Sequence, residues 1–257
     1  MHEVKCPDSS AVLRAYLLAG AAKGTVLICP GGAYRHTSPR ESAPVAGAFN
    51  RAGYNAFVLD YTTQPPPLAT RPLADAAWAM AHIRENCDSQ YELDPDKLAI
   101  CGFSAGGHLA ASLGVYWHRP EFFGGEKPPE LYRPDALILC YAVLSPWIFG
   151  HKESFRNLAG EDTHYPWAIE SQISSNTPPT FLWHTAADKS VPVQNSLLVA
   201  EKLAVYNIPF ELHVFPNGGH GLSLATEEVN EPEQGRLADS HVAQWMSLCT
   251  NWLDITL

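Results

Sequence analysis

The chain has 257 residues, 46% hydrophobic and 17% charged, enough for one sizeable core and a single domain over 1–257. A formal net charge of -10 argues against a surface that neutralises phosphates, so no nucleic-acid partner is expected. No segment stays apolar for the ~18 residues of a membrane span, and the opening MHEVKCPDSS lacks the basic and apolar regions of a secretory leader, so a cytoplasmic protein with no membrane partner is expected.

Short β-rich runs alternate with helix-length stretches, the pattern of an α/β fold with a mostly parallel central sheet and helices on both faces. The first strand is predicted over about 11 to 18 as an antiparallel edge, and the second over 24 to 29. A helix over about 41 to 52 precedes a strand over 54 to 60, and a helix over 71 to 87 precedes a strand over 97 to 102. A helix over 104 to 115 leads to a strand over 135 to 141. Strands over 179 to 185 and 209 to 215 are each followed by a helix, over 193 to 206 and 236 to 253. Thr25-Val-Leu-Ile-Cys29 and Ala136-Leu-Ile-Leu-Cys140 are apolar throughout, as expected of parallel strands buried on both faces. The stretch from about 144 to 178 is rich in aromatic and polar residues without a clear strand, and reads as a lid-like insertion over the substrate. Cys6, Cys29, Cys87, Cys101, Cys140 and Cys249 form no C-x-x-C pair and read as buried free thiols.

The strongest chemical signal is Gly102-Phe-Ser-Ala-Gly106, which follows the strand Lys97-Leu-Ala-Ile-Cys101 and opens the helical stretch Gly107-His-Leu-Ala-Ala-Ser. A G-x-S-x-G turn in that context holds its serine in a strained conformation at the carboxyl edge of the sheet, which makes Ser104 the candidate nucleophile. A serine needs a base, and the base a carboxylate, in the chain order Ser, Asp or Glu, His. Asp188 follows the strand Thr180-Phe-Leu-Trp-His-Thr185, and His220 lies in Pro216-Asn-Gly-Gly-His-Gly221 after the strand Phe210 to Phe215, so both reach the same edge. Glu161 and Asp162 are weaker candidate acids because neither follows a strand, and His184, His213 and His241 read as structural histidines. Cys29-Pro-Gly-Gly-Ala-Tyr34 can turn backbone N–H groups toward a ligand, so the N–H groups of Gly32, Ala33 and Ala105 are the candidate oxyanion donors.

Together these residues describe a serine carboxylic-ester hydrolase acting through an acyl-enzyme. Tyr34, His36, Trp147 and Trp167 fall in loops around Ser104 and are candidate substrate contacts, since aromatic faces can hold a sugar ring or an alkyl chain. No metal is expected, because no His, Cys or carboxylate cluster has ligand spacing, and no cofactor is needed for this chemistry. The same triad would serve an amidase, formamidase or exopeptidase, and a non-catalytic binding protein on this fold is a further alternative. No carboxylate pair suggests glycoside cleavage, and a homodimer is left open.

The residues resemble a known family, the bacterial α/β-hydrolase esterases of the acetyl-esterase and acetyl-xylan-esterase-like group, related to the hormone-sensitive-lipase type, some of whose members carry a xylanase label. The similarity rests on Cys29-Pro-Gly-Gly-Ala-Tyr34, the stretch Leu93 to Ala110, His151 to Gly160, Thr177 through Asp188 to Pro192, and Gly218-Gly-His-Gly221. It implies an α/β-hydrolase with a small lid and no large cap domain, acting on short acyl esters, often acetyl groups on sugars or xylo-oligosaccharides. This chain departs from the family pattern at Pro30, where His is frequent, at Ala33 in place of a third glycine, at Thr62 in place of Arg, and at Glu153 in place of Gly.

Overall fold

The computed structural model describes residues 2–147, 149–161 and 167–257. Its eight strands are β1 (His2–Lys5), β2 (Val12–Tyr16), β3 (Thr25–Cys29), β4 (Asn55–Asp60), β5 (Leu98–Phe103), β6 (Ala136–Cys140), β7 (Thr180–Thr185) and β8 (Phe210–Phe215). They form one sheet in the order β1-β2-β4-β3-β5-β6-β7-β8, parallel from β4 to β8 and antiparallel at β1 and β2. This is the α/β-hydrolase arrangement. Every residue of β3, β5, β6 and β7 is buried, which explains the apolar runs of β3 and β6.

The described residues form six α-helices: α1 (Ala43–Arg51), α2 (Arg71–Glu85), α3 (Ala105–Tyr116), α4 (Lys152–Ala159), α5 (Gln194–Val205) and α6 (Trp245–Thr256). One face of the sheet packs Phe49 of α1 and Trp245, Trp252 and Leu253 of α6 against Val26, Ile28, Cys101 and Trp183. The other packs Met80 of α2, Leu109 and Leu113 of α3 and Leu203 of α5 against Leu27, Ile100 and Leu182. Two cores thus fix the sheet from both sides, and the strand ends that carry the site inherit that rigidity. All six cysteines are buried and unpaired.

Two sequence expectations need correction. The strand from 11 is antiparallel but not an edge, because β1 pairs outside it, His2 opposite Ala15; β1 is the polar stretch HEVK, largely exposed, and carries no apolar run to reveal it. The last helix begins at Trp245 rather than near 236. Asp239 accepts the N–H groups of His241 and Val242 and starts a short 3-10 turn there, while Glu231 and Arg236 form a β-bridge just before it. The stretch 144–178 also contains a helix, α4, which buries Phe155 and Leu158 in the core. No described helix is long and apolar enough to cross a membrane.

Candidate active site

Ser104 stands between β5 and α3 with φ 52° and ψ -117°, a conformation strained for any residue with a side chain. The surrounding backbone holds it there: its N–H donates to Cys140 O (3.0 Å), and its carbonyl accepts from Val143 N–H (3.0 Å) and His108 N–H (3.2 Å). A Cβ on Gly102 would lie 2.1 Å from Gly106 O, and one on Gly106 would lie 2.1 Å from Cys29 O. Only glycine at both positions lets the first turn of α3 approach β5 and the end of β3 this closely.

Ser104 Oγ lies 2.8 Å from His220 Nε2, and His220 Nδ1 lies 2.7 Å from Asp188 Oδ2. A carboxylate only accepts, so Nδ1 carries the hydrogen and Nε2 presents its lone pair to the Ser104 hydroxyl. Asp188 is 4% exposed and surrounded by donors. Its Oδ1 accepts the N–H groups of Ser190 and Val191, both at 2.9 Å. Burial pushes its carboxyl up, but hydrogen bonds from His184 and His220, the charge of His220 and the Val191 N–H outweigh burial and hold it well below the usual carboxylate range.

The sequence reading treats His184 as structural, yet its ring supports the site. Nε2 donates to Val191 O at 2.8 Å and lies 3.5 Å from Asp188 Oδ2, while Nδ1 meets Ser196 Oγ at 2.8 Å. The available signal was its place at the end of β7, four residues before Asp188. His213 pairs with Glu211 on β8, and His241 caps nothing and sits near Gln244 and Phe215.

In the segment after β3, every carbonyl from Pro30 to Ala33 has a partner. Pro30 O accepts from Tyr61 O–H (2.8 Å), Gly31 N–H donates to Glu41 Oε2 (2.7 Å), and Gly31 O accepts from Ser38 N–H (2.9 Å). Gly32 O accepts from Arg35 N–H (2.9 Å), and Ala33 O from Asn157 Nδ2 on α4 (2.9 Å). Among the described residues, the N–H groups of Gly32, Ala33 and Ala105 have no acceptor. Gly32 has φ 129°, and a Cβ there would meet His36 O at 2.2 Å, so the turn that exposes these groups requires glycine. Such a set of unused donors beside a serine hydroxyl can bind an oxyanion.

Ser104 and His220 open into a cleft of about 250 Å3, whose lining includes Gly32, Ala33, His36, Glu41, His151 and Arg236. A larger groove of about 810 Å3, along α2 near Trp78 and Asp75, shares no lining residue with it. Of the candidate substrate contacts, His36 lines the cleft. Tyr34 and Trp167 do not, and both are core residues. The Tyr34 hydroxyl bonds His108 Nδ1 (2.8 Å), and the Trp167 carbonyl accepts from His108 Nε2 (2.9 Å). Trp147 is 48% exposed and stands outside the cleft lining. From 144–178 the cleft receives only His151 among the described residues, so the described part of this insertion braces the oxyanion segment through Asn157 more than it covers the substrate. Glu161 is an exposed turn residue, and Asp162 lies outside the described residues. No group of three or more His, Cys, Asp or Glu among the described residues is placed to hold a metal ion.

The BD-FAE family profile matches residues 18–129, and the prolyl oligopeptidase family profile matches residues 80–247. An endo-1,4-beta-xylanase B of Butyrivibrio fibrisolvens is 41% identical over 211 residues, 79% of this chain and 33% of that protein. An acetylxylan esterase of Xylanibacter ruminicola is 25% identical over 229 residues, 85% of this chain and 45% of that protein. The chain therefore spans a third to about half of the curated relatives it matches. The crystal structure of an acetyl ester-xyloside bifunctional hydrolase from Caldicellulosiruptor lactoaceticus superposes with a TM-score of 0.84 at 37% identity, covering 96% of this chain and 88% of that one.

Proposed function

The chain belongs to the α/β-hydrolase serine esterases of the BD-FAE family, and from that premise we propose that it removes short acyl groups, above all acetyl groups from xylan-type sugars. In this reading Ser104 is the nucleophile, His220 the general base and Asp188 the acid that orients His220. The observation that carries it is the unbroken chain from Ser104 Oγ through His220 to Asp188, with bonds of 2.8 and 2.7 Å.

The cycle follows from the geometry. As Ser104 Oγ bonds to the ester carbonyl carbon, its proton passes to His220 Nε2 and the carbonyl electron pair moves to oxygen. The N–H groups of Gly32, Ala33 and Ala105 stabilise that oxyanion, a donor in such a hole being worth ~3 kcal/mol. Collapse breaks the bond to the alcohol oxygen, which leaves with the proton from His220. Water then gives a proton to His220 as it attacks the acyl carbon, and the acid leaves as the proton returns to Ser104 Oγ.

The cleft supports a short acyl group and a hydroxylated alcohol. Ala33 is its sole aliphatic lining residue among the described ones; the rest are glycines and polar or charged side chains. A long alkyl chain would bury little apolar area there, whereas sugar hydroxyls would find hydrogen-bond partners.

Cleavage of amides is the second reading, favoured by the prolyl oligopeptidase profile, whose span includes Ser104, Asp188 and His220. Against it, the one carboxylate among the described residues that line the cleft is Glu41, and both its oxygens already accept hydrogen bonds. An exopeptidase would need a free anion for the substrate amino group.

The test compares wild type with Ser104→Ala on aryl esters from acetyl to octanoyl, an aryl amide, and acetylated xylo-oligosaccharides. Wild-type turnover of short esters and of the acetylated sugar, lost in the variant, is the expected result. Faster cleavage of the amide than of any ester would overturn it.

A further inference from the structure

The hydrolytic cycle does not use Glu41, although its carboxylate lies only 3% exposed at the base of the cleft. Its charge disfavours a nearby oxyanion, so its use must lie in the bonds it accepts. Oε2 takes the N–H of Gly31 at 2.7 Å, the residue before the candidate oxyanion donors. Oε1 takes the hydroxyl of Tyr141 at 2.6 Å. The Tyr141 oxygen in turn accepts the N–H of Ser223 at 2.9 Å, three residues past His220, and the Tyr141 ring meets the His220 ring edge-on at 5.2 Å.

A parallel link starts one residue earlier. Arg40 donates to Gly221 O at 2.7 Å, next to His220, and its own carbonyl accepts from Ser223 Oγ at 2.6 Å. These contacts matter because of the sheet order. The oxyanion segment follows β3 and the histidine loop follows β8, and three strands, β5, β6 and β7, separate them. No strand pairing sets the distance between the two loops. Tyr141 follows β6, between them in the sheet, and reaches both.

We propose that Glu41, acting through Gly31 and Tyr141, is a positioning residue that fixes the separation between the oxyanion donors and His220. The proposal rests on the hydrolytic reading above. Loss of the link leaves Ser104 and its strained turn intact but frees Gly31 from the Tyr141 tie, so that the oxyanion segment can shift against the histidine loop within the slack that the Arg40 contacts allow. Binding of the ground-state ester, which needs only the cleft, changes little. Stabilisation of the tetrahedral state, which needs both loops at once, is lost.

The experiment measures kcat and KM for an aryl acetate, inhibition by phenylboronic acid and thermal midpoint, for wild type, Glu41→Ala, Glu41→Gln, Tyr141→Phe and the Glu41→Gln/Tyr141→Phe double variant. Boron accepts Ser104 Oγ to become tetrahedral, so the inhibitor reports the arrangement at the reacting carbon. Glu41→Ala is expected to lower kcat by roughly tenfold to a hundredfold and boronate affinity by the same factor, with KM within about threefold. Glu41→Gln keeps an acceptor for Gly31 N–H and should fall between wild type and alanine. The double variant should lose no more than its worse single, since both act on one link.

Folded Glu41→Ala and Tyr141→Phe with kcat and boronate affinity within about threefold of wild type, or with the loss confined to KM, would overturn the proposal. If Glu41→Ala does not fold, Glu41→Gln and Tyr141→Phe decide by the same criteria. A wild type inactive on every ester would instead overturn the hydrolytic reading, and the proposal with it.

Discussion

Replacing Asp188 with asparagine removes a charge while keeping nearly the same shape, and the surrounding bonds dictate how the amide must sit. Oδ1 of Asp188 accepts two backbone N–H groups, from Ser190 and Val191, at 2.9 Å each. An amide NH2 there would set donor against donor twice, so the asparagine oxygen takes that place and its NH2 takes the place of Oδ2. That group then faces His220 Nδ1, which is 2.7 Å from Oδ2 in the native protein. Nδ1 must become the acceptor, and the ring hydrogen moves to Nε2, facing Ser104. The imidazole keeps its position but has no lone pair for the serine proton. The expected fall in kcat is about 10⁴-fold, or ~5 kcal/mol of transition-state stabilisation, the magnitude of this substitution in serine-protease triads. KM for an aryl acetate should change little, because no substrate contact is altered. The assay is steady-state hydrolysis with a correctly folded variant, verified by circular dichroism. Asp188→Asn within tenfold of wild type would refute the tautomer argument.

Three further outcomes are expected. His108 is fully buried, and burial pushes its imidazole down from 6.5 to about 4 against the opposing bond to Trp167 O; because only the unfolded chain takes up this proton between those values, stability should fall by up to ~3 kcal/mol as pH drops from about 6.5 to 4. Thermal midpoints over that range should fall less steeply in His108→Gln, and identical slopes would remove His108 as the cause. Gly106→Ala places a Cβ 2.1 Å from Cys29 O and 2.4 Å from Pro30 O, so it should cost about 3 kcal/mol or more in urea unfolding and disturb the oxyanion segment. For acyl length, kcat/KM should drop at least about tenfold from acetyl to octanoyl, since the cleft lining gives added methylenes little to bury against; equal rates would show that the acyl chain lies elsewhere.

How much of this was legible in the sequence differs by element. The parallel strands were readable because burial on both faces leaves unbroken apolar runs, as in Thr25-Val-Leu-Ile-Cys29. Ser104, Asp188 and His220 were readable from their strand-end context, and the structure brings them into one hydrogen-bonded chain. β1 was not, because a solvent-facing edge strand of four residues has no pattern to detect. Tyr34 and Trp167 were placed at the substrate because loops beside a nucleophile suggest contact. His108 on α3, 74 residues from the one and 59 from the other, accepts the Tyr34 hydroxyl inside the core and bonds the backbone carbonyl of Trp167, whose ring lies beside its own. No local spacing reveals such a partner. His184 and Glu41 escaped for a similar reason: their work is visible only in the donors and acceptors that the fold gathers around Asp188 and Gly31.

The same accounting explains why the reactive groups are the ones they are. A buried polar group left without a partner costs roughly 1–3 kcal/mol, so a fold spends most of its donors and acceptors on itself. Around this cleft that process runs almost to completion: Pro30, Gly31, Gly32, Ala33 and Ser104 each have their carbonyl bonded, and Gly31 and Ser104 their N–H as well. Asp188 accepts from two backbone N–H groups and His220, with His184 beside it, so its charge is stabilised without Ser104. Among the described residues, the N–H groups of Gly32, Ala33 and Ala105 are left without an acceptor, and in the proposed reading a flat carbonyl would engage them weakly and a tetrahedral oxyanion strongly. Because the neighbouring groups are tied, those donors would, in the proposed reading, need no reorganisation when charge develops on the substrate oxygen. Preorganisation here is a consequence of saturating everything else, so loosening any one tie, at Glu41, Asn157 or Tyr61, should show first in the transition state and only later in binding.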